Sequence, residues 1–173
     1  DAAKNNPAIV FNKLYPGSAE VVINSFPVEG AFTKGGYIAF NKELQDPDRY
    51  FSGEAWVLGP ASPSNLEDKR ALAAQIQQRY RDDFINAWRG YMKATVVVPY
   101  HSIGDAVGKL GKMASNQSPL LGVLCVASEN TSIDQKAIAD LFQPPQLVTP
   151  NGCHDKLASA GNAHYMDGLT HLQ

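Results

Sequence analysis

Between Ser64 and Thr95 the apolar side chains Leu72, Ile76, Tyr80, Phe84 and Trp88 recur every four residues, and Tyr91 and Met92 close the stripe. That spacing is one face of an α-helix. Lys69, Arg70, Gln75, Gln77, Gln78, Arg79, Arg81 and Asp82 fall between these positions and suit a solvated face. Ser64, with Glu67 three residues on and Pro63 just outside, reads as a capping box that sets the start. The predicted helix has about thirty residues and a length of roughly 45 Å. A stripe that broad has to be buried against elements packed along it, with Tyr80, Phe84 and Trp88 as core anchors.

Elsewhere the pattern is shorter. Ile9 to Leu14 reads as a short helix or coil, Tyr15-Pro16-Gly17 as a turn, and the β-branched run Ala19 to Ile23 as an extended segment. Thr33 is the expected N-cap of a helix through Tyr37, Ile38, Phe40 and Leu44, ended by Asp46-Pro47. Residues 46 to 63 are rich in Pro and Gly yet carry Tyr50, Phe51 and Trp56, which predicts a loop pinned by its aromatics.

Beyond the long helix, Val96 to Tyr100 reads as an extended connection. Ser102 with Asp105 opens a helix through Val107, Leu110 and Met113, whose Gly104, Gly108 and Gly111 are expected to mark close helix–helix contact. Ser118-Pro119 starts an apolar helix to about Ser128. Ser132 and Gln135 form a further capping-box pattern before Ile138, Leu141 and Phe142, with Pro144-Pro145 as the stop. Residues 143 to 153 read as a linker, and Lys156 to Gln173 as the start of another helix.

The fold class expected from this pattern is mainly α, a helical bundle of about six helices with a short extended or β segment near the N-terminus. It divides into an N-terminal extended and helical segment with the aromatic loop (1–63), a helical bundle (64–143), and a linker leading into a further helix (144–173) of a longer protein.

Composition narrows the classes of function. With 44% hydrophobic and 18% charged residues in 173, the chain is a folded protein rather than a disordered one. A net charge of −2 with scattered Lys and Arg leaves no electrostatic footprint for nucleic acid. The longest apolar run, Leu120 to Ala127, is far too short to span a bilayer, so the chain as given is expected not to cross a membrane. Cys125 in an apolar run and Cys153 in a turn-rich stretch read as a buried small hydrophobe and a loop thiol rather than a bridge, since neither count nor spacing suggests a disulfide framework.

Candidate chemistry mostly fails on spacing. Val96-Val97-Val98 followed by Gly104 to Lys109 mimics a strand and phosphate loop, but three residues rather than four separate the glycines and Leu110 follows the lysine. Cys153, His154, His164, Asp167 and His171 contain no pair with the tight spacing of a zinc motif. No G-x-S-x-G elbow surrounds Ser18 or Ser62, and no histidine has an evident carboxylate partner. No catalytic, cofactor-binding or metal residue is therefore assigned, and the chain is expected not to be an enzyme.

The run Phe26-Pro27-Val28-Glu29-Gly30-Ala31-Phe32-Thr33-Lys34-Gly35-Gly36-Tyr37 resembles a segment of the TssM/IcmF family, the inner-membrane component of bacterial type VI secretion systems. Phe32-Thr33 and Gly36-Tyr37 match its pattern, and Trp56-Val57-Leu58-Gly59 resembles the next marker. Tyr80, Asp83-Phe84 and Trp88 follow at matching intervals, with Phe84 where Tyr is usual, and pieces around Ser118-Pro119-Leu120 and Phe142 keep the family order.

The resemblance implies a helical, periplasmic piece of an inner-membrane protein, without cofactor. It would act as a structural scaffold contacting a TssJ-like lipoprotein, a TssL-like protein and further TssM copies. A different class of function, binding of cell-wall glycan or a small ligand on the aromatic loop Tyr50, Phe51 and Trp56, is the alternative.

Overall fold

A computed structural model describes residues 5–45, 66–149, 153 and 156–172. Among them, in chain order, lie α1 (Phe11–Leu14), β1 (Val22–Asn24), α2 (Lys34–Leu44), α3 (Leu66–Lys93), β2 (Thr95–Val97) and α4 (Ile103–Met113). There follow α5 (Pro119–Thr131), α6 (Lys136–Leu141), α7 (Gln143–Val148) and α8 (Ala163–Leu172). Among the described residues the fold is mainly α, with one two-stranded antiparallel sheet.

The caps follow local chemistry. The Thr33 hydroxyl accepts from Gly36 N at the start of α2, Ser102 Oγ from Asp105 N at the start of α4, and Ser118 Oγ from Leu121 N at the start of α5. In each case a side-chain oxygen takes an N–H that the first turn leaves without an intrahelical acceptor. Pro119 at N1 of α5 loses nothing, because its missing N–H would have been one of those orphans.

Helix α5 is the hub. Leu121, Gly122, Val123, Cys125, Val126, Ala127, Ser128 and Thr131 are all buried, so it is covered on nearly every side, as an apolar helix must be. It packs against α2, α3, α4 and α7. The main core joins it to Phe11, Val21, Val22, Val28, Phe84, Trp88, Tyr91, Met113, Ile138 and Phe142. A second cluster on its other flank contains Leu121, Cys125 and Leu157. On α3, Phe84, Trp88 and Tyr91 are fully buried, while Ile76, further up the same stripe, is exposed.

The sheet joins β1 to β2 with Val22 opposite Val97, Ile23 opposite Val96 and Asn24 opposite Thr95. Its outer β1 edge is closed by one side chain: Asn12 Nδ2 donates to Val22 O at 2.9 Å and Asn12 Oδ1 accepts from Asn24 N at 2.9 Å.

Four sequence expectations are corrected. Cys125 and Cys153 form a disulfide with Cα atoms 5.6 Å apart, because folding brings positions 28 residues distant to bonding range. Residues 143 to 148 are not a linker but the helix α7, packed on α5; Pro144 and Pro145 sit in its first turn, where proline is tolerated. Ser132 does not cap α6: its Oγ donates to Ser128 O at the end of α5, and Gln135 precedes α6 without a side-chain cap bond. Gly104 and Gly108 of α4 face open space rather than a neighbouring helix. Ser64, on which the expected capping box rests, and the 46–63 loop lie outside the described residues.

Gly36 does mark close approach, since a Cβ there would meet the carbonyl oxygens of Gly30 and Ala31. Gly36→Ala is expected to destabilise by about 2–3 kcal/mol through overpacking against backbone. Gly108→Ala, with no obstacle in mid-helix, should instead stabilise by about 0.5–1 kcal/mol. Urea unfolding of the two variants checks the opposite signs.

Candidate functional site

Phe32, Thr33, Gly36, Tyr37, Tyr80, Phe84 and Trp88, singled out by the resemblance, meet at one junction. A 3₁₀ turn over Gly30–Phe32 exposes two carbonyls to α3: Tyr80 OH donates to Ala31 O at 2.5 Å, and Trp88 Nε1 donates to Phe32 O at 2.8 Å. Thr33 works in both directions, donating its hydroxyl to Gly30 O at 2.8 Å while accepting from Gly36 N at 3.1 Å. The turn is therefore held from inside by Thr33 and from outside by two rings of α3.

Aromatic contacts extend the junction into α2. Phe40 stacks on Tyr80 with ring centroids 3.8 Å apart, and Tyr37 meets Phe84 edge-on at 6.2 Å. From α2 the connection continues to the end of α5, where Asn130 Oδ1 accepts from Lys34 N at 3.0 Å and Tyr37 OH donates to Asp134 O at 3.3 Å. Phe32, Thr33, Gly36, Tyr37, Tyr80, Phe84 and Trp88 are thus placed together, whereas Trp56 lies outside the described residues, as do Tyr50 and Phe51.

Burial governs the ionisation of the junction's phenols. The Tyr80 and Tyr91 hydroxyls are pushed well above the ordinary tyrosine value, chiefly by desolvation and secondarily by a neighbouring tyrosine. Both rings are held neutral.

Sequence reasoning missed Asn24. Buried at β1, it donates from Nδ2 to Tyr91 O at 2.8 Å and to Thr95 Oγ1 at 2.9 Å, and its Oδ1 accepts from Phe26 N at 3.0 Å. Tyr91 O belongs to the last turn of α3, where carbonyls lack intrahelical donors. An Asn among β-branched residues was the available signal, since a polar side chain in such a run needs partners if buried.

A groove of about 690 Å³ is bordered by Tyr15, Ser18, Glu20, Lys112, Gln117, Glu129 and Cys153. Lys112 and Glu20 form an ion pair at its rim, which holds the Glu20 carboxyl below its usual range. Glu129 Oε1 accepts from Cys153 N at 3.1 Å, and burial with the nearby Glu129 charge raises the Tyr15 phenol. The disulfide forms part of the wall. These groups serve as structure: an ion pair, a carboxylate holding a backbone N–H, a half-buried phenol.

The residues considered for metal binding do not converge. His171 Nδ1 is 2.8 Å from Asp167 O, a contact within α8, and no group of three or more potential ligands occurs among the described residues. At His101 it is the backbone N–H, not the ring, that Asp105 accepts at 2.8 Å.

Residues 1–132 match the family described as "IcmF-related: Intracellular multiplication and human macrophage-killing". No curated protein matches the chain. A solved structure described as "Type VI secretion system membrane core complex" is similar at 18% identity and a TM-score of 0.68, over 99% of this chain and 33% of that one. The chain therefore spans about a third of the length of that relative and shares its fold.

The junction makes two quantitative expectations. Trp88→Phe leaves Phe32 O without its donor and creates a void, and should cost about 2–4 kcal/mol, whereas Tyr80→Phe removes one hydrogen bond and should cost about 1 kcal/mol. Denaturant unfolding of both variants gives the comparison. Because the phenol values of Tyr80 and Tyr91 are raised on folding, their contribution is intact below about pH 10 and declines above it, where the unfolded chain releases protons that the folded chain retains. Melting temperature should therefore fall on alkaline titration, with phenolate absorbance from these rings appearing only as the chain unfolds.

Proposed function

The chain belongs to the IcmF-related family, and from that membership we propose that it is a non-enzymatic scaffold segment of a type VI secretion membrane complex, folded in the periplasm. The observation that carries the compartment is the Cys125–Cys153 bridge. Disulfides form and persist in oxidising spaces such as the bacterial periplasm and are rare in the cytosol. The bridge lies in the second core cluster, where Leu121 and Leu157 pack around it, and its half-cystine Cys125 is fully buried.

The role as a scaffold is supported by how the polar groups are used. Tyr80, Trp88, Asn24 and Thr33 all hold backbone at element ends. Such contacts fix distances between elements. No helix among the described residues is long and apolar enough to cross a membrane, and in this reading the bilayer is reached through other parts of the protein. The partners are other subunits of the complex: a TssJ-like lipoprotein, a TssL-like protein and further copies of the family member itself.

Two measurements test this reading. Thiol labelling of intact, unreduced cells is expected to leave Cys125 and Cys153 unmodified in the whole protein, and labelling of both would reject the periplasmic placement. Removing residues 1–173 from the whole protein should reduce recovery of its membrane-complex subunits, and equal recovery would reject the contact role. Replacing both cysteines with serine should lower stability by about 3–4 kcal/mol, the chain-entropy value for a loop of this length.

A further inference from the structure

The two sulfur atoms of the bridge stand in different surroundings. Cys125 is fully buried in α5, in the cluster with Leu121 and Leu157, and is not among the residues bordering the groove. Cys153 is only partly buried and lines the groove with Gln117, Glu129 and Leu157. A space of about 690 Å³ admits a small molecule, so one half of the bridge is met from solvent and the other only through the core.

Thiol–disulfide exchange depends on which sulfur is attacked and on access to it. Cys153 offers an approach along the groove, whereas Cys125 is wholly covered by packed side chains. Glu129 lies one turn beyond Cys125 on α5, and its Oε1 accepts from Cys153 N at 3.1 Å. That contact does not require the sulfur–sulfur bond. It holds the Cys153 backbone against α5 when the bond is open, so the two sulfurs stay neighbours and closure is intramolecular.

We propose that Cys153 is a thiol–disulfide exchange site, entered through the groove by a small thiol, with Cys125 as the buried leaving and resolving sulfur. This goes beyond the scaffold reading and does not rest on it, because the choice of sulfur is set by the folded chain alone. In the first step a thiolate bonds to Cys153 Sγ and the bond to Cys125 breaks. The electron pair leaves on Cys125 Sγ, which takes a proton from water. Apolar surroundings disfavour a thiolate there, so Cys125 is a poor leaving group and the step is slow.

Two fates follow. With a monothiol, Cys125 Sγ gives up its proton, attacks Cys153 Sγ, expels the guest as a thiolate and restores the bridge. With a dithiol, the guest's second thiolate attacks its own bonded sulfur and releases Cys153 as a thiolate, which is protonated. The guest leaves oxidised to a disulfide, and the bridge is reduced to two thiols. A dithiol is therefore the co-reactant that opens the ring of chain carrying α6 and α7, and a monothiol leaves only a passing adduct.

The test uses the full 173-residue chain with its bridge intact. The chain is exposed to glutathione, quenched in acid, alkylated with N-ethylmaleimide and mapped by mass spectrometry. Glutathione is expected on Cys153 and maleimide on Cys125, in roughly tenfold excess over the reverse. Reduction by dithiothreitol should proceed at a rate unchanged by low urea, since the folded chain is the reacting form. Cys125→Ala should take up and keep glutathione from oxidised glutathione, and Cys153→Ala should do so roughly a hundredfold more slowly. A C-x-x-C oxidoreductase supplied reduced carries the same thiolate on a protein, and it should act more slowly than dithiothreitol at equal thiolate. Glutathione equally on both cysteines or chiefly on Cys125 overturns the proposal. So does reduction that accelerates with urea as steeply as global unfolding, or reduction by the oxidoreductase alone.

Discussion

A buried amide holds the N-terminal third of this chain to the rest. Asn24 bonds Tyr91 O and Thr95 Oγ1 across separations of 67 and 71 residues, and its own N–H is taken by Asn12. Leaving any of these groups unpaired in the interior would cost about 1–3 kcal/mol. A slip of β1 by one residue would turn Asn24 to the solvent face and bury Ile23 in its place. The register of the sheet, the end of α3 and the position of α1 are therefore set by a single side chain and its partners, and the apolar strand residues supply burial without deciding alignment.

The long helix and the hub have different roles. α3 supplies a face, from Tyr80 to Tyr91, on which the 3₁₀ turn and β1 are mounted. α5 supplies the interior, lying between α3 and α7 and enclosed by both core clusters. Long amphipathic helices draw the eye in a sequence because their periodicity is visible. A short helix that is apolar all round has no visible face, yet it is the one that must be surrounded.

What was legible in the sequence was what depends on near neighbours. Thr33, Ser102 and Ser118 could be read as caps because donor and acceptor are three residues apart. The stripe through Phe84 and Trp88 locates the buried half of α3, while the same four-residue spacing continues to Ile76, which is exposed because periodicity does not say where the neighbouring elements end. α6 ends ahead of Pro144-Pro145 as the sequence predicts, but the same prolines also sit in the first turn of α7, which accepts proline as readily as the end of an old helix. Small residues on α4 suggested contact, but glycine marks contact only where another chain segment arrives, and that information is not local. The junction's motif residues were visible, while Asn12 and Asn24 were not, since their meaning lies in partners distant along the chain. The pairing of Cys125 with Cys153 was hidden for the same reason.

That bridge has a mechanical consequence. It closes a covalent ring of chain that contains α6 and α7, entered at the middle of α5 and left just before the segment leading to α8. Tension applied from the α8 end passes through the sulfur atoms straight into α5, bypassing both short helices. Because α5 is enclosed by its neighbours, the load is then shared laterally across the bundle rather than peeling it one element at a time. Were the bond opened, the same pull would first draw on α7 and the hydrogen bonds that Val148 O and Thr149 O receive from Asn162, Ser159 and Ser128. The oxidation state of one pair of sulfur atoms thus decides which part of the bundle bears strain.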